Sequence, residues 1–246
     1  DLLCRHITDA QVQTLDLSRW EVAFTGAEPV RAATLEAFAA KFAPCGFRRE
    51  AFYPCYGMAE ATLFITGGQK SSPPTTAYID DIALAENRVV WVDAAQAATR
   101  PHTRSLVGCG HAWLDGEIAI AHPHTGHRCP PNQVGEIWVS GSGLGKGYWN
   151  QPDQTRHTFQ AYLADSGDGP FLRTGDLGFL HNGELFITGR LNDVLVFWGL
   201  NHYPEHIERT VAACHPAFRA NGTAAFAVSV ADGDSPGENN GDGQSR

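Results

Sequence analysis

The sequence has no long apolar run and no targeting segment. No apolar stretch is longer than Val194 to Trp198, which is too short to cross a bilayer. The first residues, Asp1 to His6, include neither an initiating Met nor a basic segment followed by an apolar one. We therefore expect no membrane span, and we expect these residues to come from the interior of a longer, cytoplasmic chain.

Clustered basic residues and closely paired cysteines are also lacking. The 18 basic and 27 acidic residues give a net charge of −9, with no basic cluster beyond Arg48-Arg49, so a nucleic-acid backbone is a poor partner. The cysteines show neither metal-ligand spacing nor a dense disulfide framework. We expect them to be buried cytosolic thiols; they are Cys4, Cys45, Cys55, Cys109, Cys129 and Cys214.

One short segment nevertheless holds several possible metal ligands, namely His122, His124, His127 and Cys129. The same segment contains Pro123 and Gly126, which are typical of a turn. A turn is therefore the favoured interpretation, and a metal site is the alternative.

The 43% hydrophobic content of the 246 residues is enough to build a substantial core. In the first part of the chain, strand and helix patterns alternate, which predicts an α/β layer with sites at the strand ends. The predicted elements are a strand at Val22–Thr25, a helix with Leu35, Phe38 and Phe42 on one face, a strand at Ala51–Cys55, and a helix over Ala59–Leu63.

From Ser71 onward, short β-rich pieces separated by Gly and Pro predict a small β-barrel or sheet. These pieces are Val89–Val92, Glu117–Ala121, Glu136–Ser140, Leu185–Thr188 and Asp193–Trp198. Pro204 can then open a helix with Ile207, Val211 and Cys214 on its apolar face. Beyond it, Ala224–Val230 alternates like a strand, and the polar stretch Asp232–Gly243 has too little apolar content to pack.

The glycine-rich segment Gly141–Gly147 contains a Gly-Lys pair and partly matches a phosphate-binding loop. Ser140 stands where that pattern needs Gly, and Gly147 stands where it needs Ser or Thr. A structural glycine turn is therefore favoured over a phosphate site.

Three other segments carry groups suited to a nucleotide: Tyr56–Thr62, Arg173–Asp176 and Gly189–Asp193. Tyr56 offers an aromatic face and Glu60 a carboxylate of the kind that Mg²⁺ prefers. Asp176 can accept hydrogen bonds from a ribose diol, and Arg190 can bind a ribose or phosphate. Taken singly, each could instead be a core tyrosine, a solvated glutamate, a turn aspartate or a surface ion pair.

In this order, the three segments resemble the adenylate-forming superfamily of acyl-CoA ligases, peptide-synthetase adenylation domains and luciferases. The resemblance covers roughly Leu15 to Cys214. Within the superfamily, the chain is most similar to fatty acyl-AMP ligases because of Gly26–Val30, Asn201–Pro204, and Ala59 where the commoner pattern has Thr.

The resemblance implies an α/β adenylate-forming fold: an α/β layer plus a small distorted β-barrel, with the beginning of a small α+β C-terminal domain. The corresponding bounds are 1–75, 76–191 and 192–246. An insertion typical of the fatty acyl-AMP branch is expected near residues 78–104.

The resemblance also implies the site residues and the cofactors, ATP/AMP and Mg²⁺. Glu60 and Arg190 are the expected catalytic residues, with Glu60 as the Mg²⁺ ligand and Asn192 as the hinge. The expected nucleotide-binding residues are Gly26, Ala27, Glu28, Tyr56, Gly57, Met58, Ala59, Asp176 and Arg190.

The implied activity is conversion of a fatty acid and ATP to an acyl-adenylate and pyrophosphate. The acyl group then passes to the phosphopantetheine arm of an acyl carrier protein or of a polyketide or peptide synthetase module. A phosphate-binding loop is expected before residue 1 and a catalytic lysine after residue 246, so these 246 residues alone are expected to be inactive. The alternatives are an acyl-CoA ligase and a non-catalytic module that binds nucleotide or lipid.

Overall fold

The computed structural model describes residues 2–218 and 222–228. The chain divides into two compact units, and the break falls between Tyr203 and Pro204. Among the described residues, no helix combines the length and the apolar character needed to cross a membrane.

The helices are short, and the strands range from two to ten residues. The helices are α1 Leu2–His6, α2 Asp9–Val12, α3 Ala32–Phe42, α4 Asp81–Ala85, α5 Ala94–Ala97, α6 Pro152–Phe159 and α7 Pro204–Cys214. Single 3₁₀ turns occur at Ala43–Cys45, Arg49–Ala51 and Ala59–Ala61. The strands are β1 Ala23–Thr25, β2 Phe52–Tyr56, β3 Thr66–Gly67, β4 Thr76–Asp80, β5 Thr103–Val107, β6 His111–Ala112, β7 Glu117–Ala121, β8 Gly135–Ser140, β9 Leu172–His181, β10 Glu184–Arg190, β11 Leu195–Phe197 and β12 Leu200–His202.

The first sheet has the order β1-β2-β3-β6. β1 and β2 are parallel, with Ala23 opposite Phe52, and α3 forms the crossover that a parallel pair requires. Buried Leu35 and Phe42 of α3 pack with Phe52 in one core cluster. The predicted strand–helix–strand unit is confirmed, and the carboxyl ends of β1 and β2 meet at the same edge, where sites form in such sheets.

The second sheet is antiparallel, in the order β10-β9-β8-β7, and it confirms three of the predicted strands. It is open: in the described part of the chain, no sheet closes into a barrel. The predicted small β-barrel is therefore corrected to an open sheet, because four strands in this order leave β7 and β10 as separate edges.

A shared core joins the two sheets. Tyr56 and Ile65 from the first sheet region pack in one buried cluster with Ile137, Leu172 and Leu185 from the second. This packing holds the carboxyl end of β2 against β9, which positions the site described below.

Residues 76–107 form a separate antiparallel hairpin of β4 and β5, with α4 and α5 between the strands. The predicted strand Val89–Val92 is wrong, since it contains only one isolated bridge, between Ile79 and Trp91. Val89 is instead buried in a cluster with Phe179 and Phe186.

The predicted helix over Ala59–Leu63 is also wrong, because it amounts to a single 3₁₀ turn at Ala59–Ala61. Thr62 follows with φ 64°, a left-handed conformation that an α-helix cannot contain. The helix-forming composition of this segment is overridden by the tight return of the chain toward β3.

In the second unit, Pro204 begins α7 as predicted. The helix has no buried residue: Ile207 is half-buried, and Val211 and Cys214 are exposed. Residues 224–228 form no strand, and the rest of the predicted strand Ala224–Val230, together with the polar stretch Asp232–Gly243, lies outside the described residues.

Candidate active site

Asp176 is the centre of a hydrogen-bonded group that joins all three of the predicted segments. The Tyr56 hydroxyl donates to Asp176 Oδ2 at 2.6 Å, and Arg190 Nε donates to Oδ1 at 3.1 Å. Arg190 reaches the carboxylate because it lies directly opposite Asp176 in the β9–β10 pairing. Tyr56, Asp176 and Arg190, which are far apart in the sequence, therefore form one hydrogen-bonded unit.

The two donors lie in different surroundings. Tyr56 is 8% exposed, and burial, reinforced by the Asp176 charge, raises the pKa of its phenol far above the ordinary range. The Arg190 side chain is 67% exposed, and its hydrogen bond to Asp176 raises the pKa of the guanidinium. Tyr56 thus stays a neutral donor and Arg190 a cation at neutral pH.

Replacing Tyr56 by Phe removes the buried donor without changing the packing of the ring. We expect Tyr56→Phe to lower the free energy of unfolding by about 1.5 kcal/mol, since a buried hydrogen bond to a charged group is lost. Arg190→Ala is expected to cost less than Tyr56→Phe, because the Arg190 side chain is 67% exposed and solvent can replace its guanidinium beside Asp176. Urea unfolding of both variants tests this difference, and equal costs would contradict it.

The strand around Asp176 is fixed by a buried ion pair that the sequence did not predict. Glu136 is 2% exposed and accepts hydrogen bonds from Arg173 Nε at 3.0 Å and Nη2 at 2.6 Å. Glu136 Oε1 also accepts from the Gly175 backbone N–H at 3.2 Å. The sequence signal for this pair is the single carboxylate between Gly135 and Ile137 in an apolar strand. A charge buried in such a strand needs a charged partner.

Thr174 adds a second support next to Asp176. Its hydroxyl donates to the Ile137 carbonyl at 2.7 Å and accepts the Asp176 backbone N–H at 3.1 Å. The segment Arg173–Asp176 is therefore tied to β8 through the side chains of Arg173 and Thr174 and the backbone N–H of Gly175.

Gly26, Ala27 and Glu28 directly follow β1, at the same sheet edge as Tyr56. A Cβ on Gly26 would lie 2.7 Å from the Cys55 carbonyl oxygen, so only glycine permits this approach. Ala27 has φ 64°, and Glu28 is exposed. The parallel pairing of β1 and β2 thus brings these three residues beside the end of β2.

Gly57, Met58 and Ala59 lead from β2 into the turn that carries Glu60. A Cβ on Gly57 would overlap the carbonyl oxygen of Leu63, because the chain doubles back on itself here. Glycine at this position is required by the backbone, whatever else the segment binds.

Glu60 is half-buried and contacts the glycine segment. Its Oε1 accepts a hydrogen bond from the Tyr148 hydroxyl at 2.7 Å, and its carbonyl oxygen accepts from the Gly145 N–H at 2.7 Å. Burial, followed by the hydrogen bond to Glu60, raises the pKa of Tyr148 to about 12. Glu60 is thus held at both its main chain and its side chain.

A pocket with a volume of about 100 Å³ lies beside this turn. Its lining is mainly apolar and includes Ala61, Phe64, Ile65, Trp113, Leu114 and Leu144.

Asn192 is exposed and lies two residues after Arg190, in a turn where the Asp193 N–H donates to the Arg190 carbonyl at 3.2 Å. The structure therefore brings Tyr56, Asp176 and Arg190 into direct contact. Gly26–Glu28 follow β1, Glu60 lies in the 3₁₀ turn after β2, and Asn192 follows β10.

The histidine-rich segment is a turn. His122 Nδ1 accepts the backbone N–H groups of His124 and Thr125, both at 3.3 Å. Within residues 2–218 and 222–228, no three His, Cys, Asp or Glu side chains are grouped so that they could hold a metal ion.

Glu60 by itself suits a different kind of metal site. Mg²⁺ is commonly held by one or two protein carboxylates while waters and substrate phosphates supply the other ligands. A half-buried carboxylate with one oxygen fixed by Tyr148 fits that donor set.

Comparison with known proteins places the chain in a family. The family model for AMP-binding enzymes matches residues 2–149. The chain is 48% identical over 226 residues to the medium-chain-fatty-acid–acyl-carrier-protein ligase JamA of Moorena producens, covering 92% of this chain and 38% of JamA. It is 40% identical over 240 residues to the ligase of the same description, TtuA, of Teredinibacter turnerae, covering 95% of this chain and 37% of TtuA.

Solved structures agree with this placement. The fatty acyl-adenylate ligase of Legionella pneumophila in complex with acyl adenylate and pyrophosphate is 41% identical, with a TM-score of 0.72 over 93% of this chain and 39% of that one. The chain thus spans well under half the length of the relatives that it matches. It belongs to the family of AMP-binding, adenylate-forming enzymes.

Proposed function

We propose that the whole protein activates a fatty acid, converting it with ATP to an acyl-adenylate and pyrophosphate. The observation that carries this proposal is the buried Asp176 carboxylate with Tyr56 and Arg190 as its donors, in a chain of the AMP-binding family. The names of the two ligases and the acyl-adenylate complex of the Legionella enzyme support the choice of a fatty acid.

In the proposed mechanism, the fatty acid carboxylate attacks the α-phosphorus of ATP, a bond to phosphorus forms, and pyrophosphate leaves. The ionised carboxylate is itself the nucleophile, so no general base is needed. Asp176 accepts hydrogen bonds from the ribose hydroxyls. A carboxylate has about four acceptor sites, and Tyr56 and Arg190 use two of them, so two remain for the ribose. Arg190, a largely exposed cation, assists at the ribose.

Other residues bind and orient the nucleotide in this proposal. Gly26, Ala27 and Glu28 line the adenine pocket together with the segment from Tyr56 to Ala59. Glu60 holds Mg²⁺, which when bound offsets negative charge on the phosphates. The apolar pocket beside Ala61 and Phe64 offers space for a hydrocarbon chain.

The proposal also covers the division of the chain into segments and its location in the cell. The segments are 1–75, 76–191 and 192–246, with Asn192 as the hinge, and residues 78–104 are the branch-specific insertion. That insertion is supported by the separate β4–β5 hairpin. The six unpaired cysteines are typical of a reducing compartment, which supports a cytoplasmic location.

The proposed acyl acceptor is the phosphopantetheine arm of an acyl carrier protein or of a polyketide or peptide synthetase module. An experiment with the full-length protein tests this choice: fatty acid, ATP and Mg²⁺ are supplied with either coenzyme A or a phosphopantetheinylated carrier protein. We expect acyl-carrier protein as the main product. Efficient formation of acyl-CoA would instead identify an acyl-CoA ligase and overturn the proposed acceptor while leaving the adenylation step in place.

A further inference from the structure

Three hydrogen bonds tie the glycine segment and Tyr148, the residue that follows it, to the turn that carries Glu60. The Tyr148 hydroxyl donates to Glu60 Oε1, the Gly145 N–H donates to the Glu60 carbonyl oxygen, and Thr62 Oγ1 donates to the Gly143 carbonyl oxygen, each at 2.7 Å. The first bond holds the Glu60 side chain, the second holds its main chain, and the third holds the residues that follow it in the turn. The glycine segment, which does not match a phosphate-binding loop, therefore helps to fix the position of Glu60.

Tyr148 is itself held from the opposite side by α6. Its backbone N–H donates to Thr155 Oγ1 at 2.9 Å, and its ring meets Phe159 edge-on, with centroids 5.2 Å apart. The hydroxyl of Tyr148 is thus presented to Glu60 from a ring whose position is set by helix packing.

A glutamate at a turn has several side-chain rotamers, and fixing it costs conformational entropy when an ion binds. A hydrogen bond to one carboxylate oxygen fixes the rotamer in advance and leaves the second oxygen for a cation. Hydrogen bonds of this kind to metal-binding groups commonly change metal affinity by roughly 10- to 100-fold.

We propose that Tyr148 is a positioning residue that orients the Glu60 carboxylate for Mg²⁺. The inference rests on the proposed role of Glu60 as the Mg²⁺ ligand and adds Tyr148, with Gly145 and Thr155, as the structure that holds it. Tyr148 does not contact the reacting atoms in this account.

The test compares Tyr148→Phe with the unmodified full-length protein in two Mg²⁺-dependent measurements. The first is the rate of acyl-adenylate formation as a function of Mg²⁺ concentration. The second is the binding of Mn²⁺, followed by electron paramagnetic resonance in the presence of a non-hydrolysable ATP analogue. We expect the half-saturating Mg²⁺ concentration and the Mn²⁺ dissociation constant to rise roughly tenfold, with the rate at saturating Mg²⁺ nearly retained.

Tyr162→Phe is the matched control, since Tyr162 is 55% exposed, and we expect it to change neither measurement. If Tyr148→Phe does not fold, Thr155→Val, which loosens Tyr148 without altering it, is expected to shift both values in the same direction by a smaller factor. Unchanged values for the folded variant of either kind would overturn the inference.

Glu60→Gln separates this inference from the proposed function. If Glu60→Gln weakens Mn²⁺ binding and Tyr148→Phe does not, the positioning role is wrong and the metal role of Glu60 stands. If neither substitution changes Mn²⁺ binding, the proposed metal ligand itself is wrong.

Discussion

Replacing Arg173 by alanine is expected to lower the free energy of unfolding by about 3–5 kcal/mol, the usual cost of leaving one partner of a buried ion pair alone. Glu136 is almost fully buried and its main charged partner is Arg173, which binds it through two nitrogen atoms. The Arg173 guanidinium also lies over the Trp138 ring, 5.4 Å from its centroid. Urea unfolding of the full-length protein at neutral pH measures the loss.

Two further variants isolate the cause of that loss. Arg156→Ala removes an arginine whose pair with Asp153 is exposed, so we expect a change below about 0.5 kcal/mol. Combining Arg173→Met with Glu136→Leu replaces both charges by apolar groups and is expected to recover most of the stability. A loss for Arg173→Ala no larger than that for Arg156→Ala would contradict the assignment of a buried, stabilising partner.

Replacing Asp176 by alanine is expected to reduce kcat/KM for adenylation roughly 10- to 150-fold, equivalent to about 1.5–3 kcal/mol for lost hydrogen bonds to a charged group. The proposed reason is that the ribose hydroxyls lose their acceptor, so the KM for ATP should rise. Steady-state kinetics of pyrophosphate release by the full-length protein measure both constants.

The same substitution also leaves the buried Tyr56 hydroxyl without its acceptor, so folding must be measured alongside activity. Asp176→Asn keeps the shape and one acceptor oxygen, and we expect it to lose less activity than Asp176→Ala. Asp153→Ala removes an exposed aspartate and serves as the control. Unchanged kinetics in a folded Asp176→Ala protein would exclude Asp176 as the ribose ligand.

Local patterns in the sequence were sufficient for the elements that alternate clearly. Glu117–Ala121 was predicted with the observed bounds of β7, and the strand–helix–strand unit around α3 followed from apolar spacing. The same patterns failed at Ala59–Leu63, where the left-handed Thr62 and the close return of Leu63 past Gly57 override helix propensity.

The site was predictable only in part. The order of the three segments, through their family resemblance, pointed to Tyr56, Asp176 and Arg190, which the fold brings together. The Glu136–Arg173 pair and the Tyr148–Glu60 contact were missed, because their partners are 37 and 88 positions apart and no local pattern records such pairings. The prediction of a closed barrel failed for a related reason. Closure depends on which strands pair with one another, and no local pattern records that pairing.

The most direct test of the central claim is to detect the acyl-adenylate itself. The full-length protein is incubated with a medium-chain fatty acid, ATP and Mg²⁺, without any acyl acceptor, and the products are analysed by mass spectrometry and by an assay for pyrophosphate. The account predicts acyl-adenylate together with pyrophosphate, released only when the fatty acid is present. Folded protein that releases no pyrophosphate in response to carboxylic acids, and forms no acyl-adenylate, would contradict it.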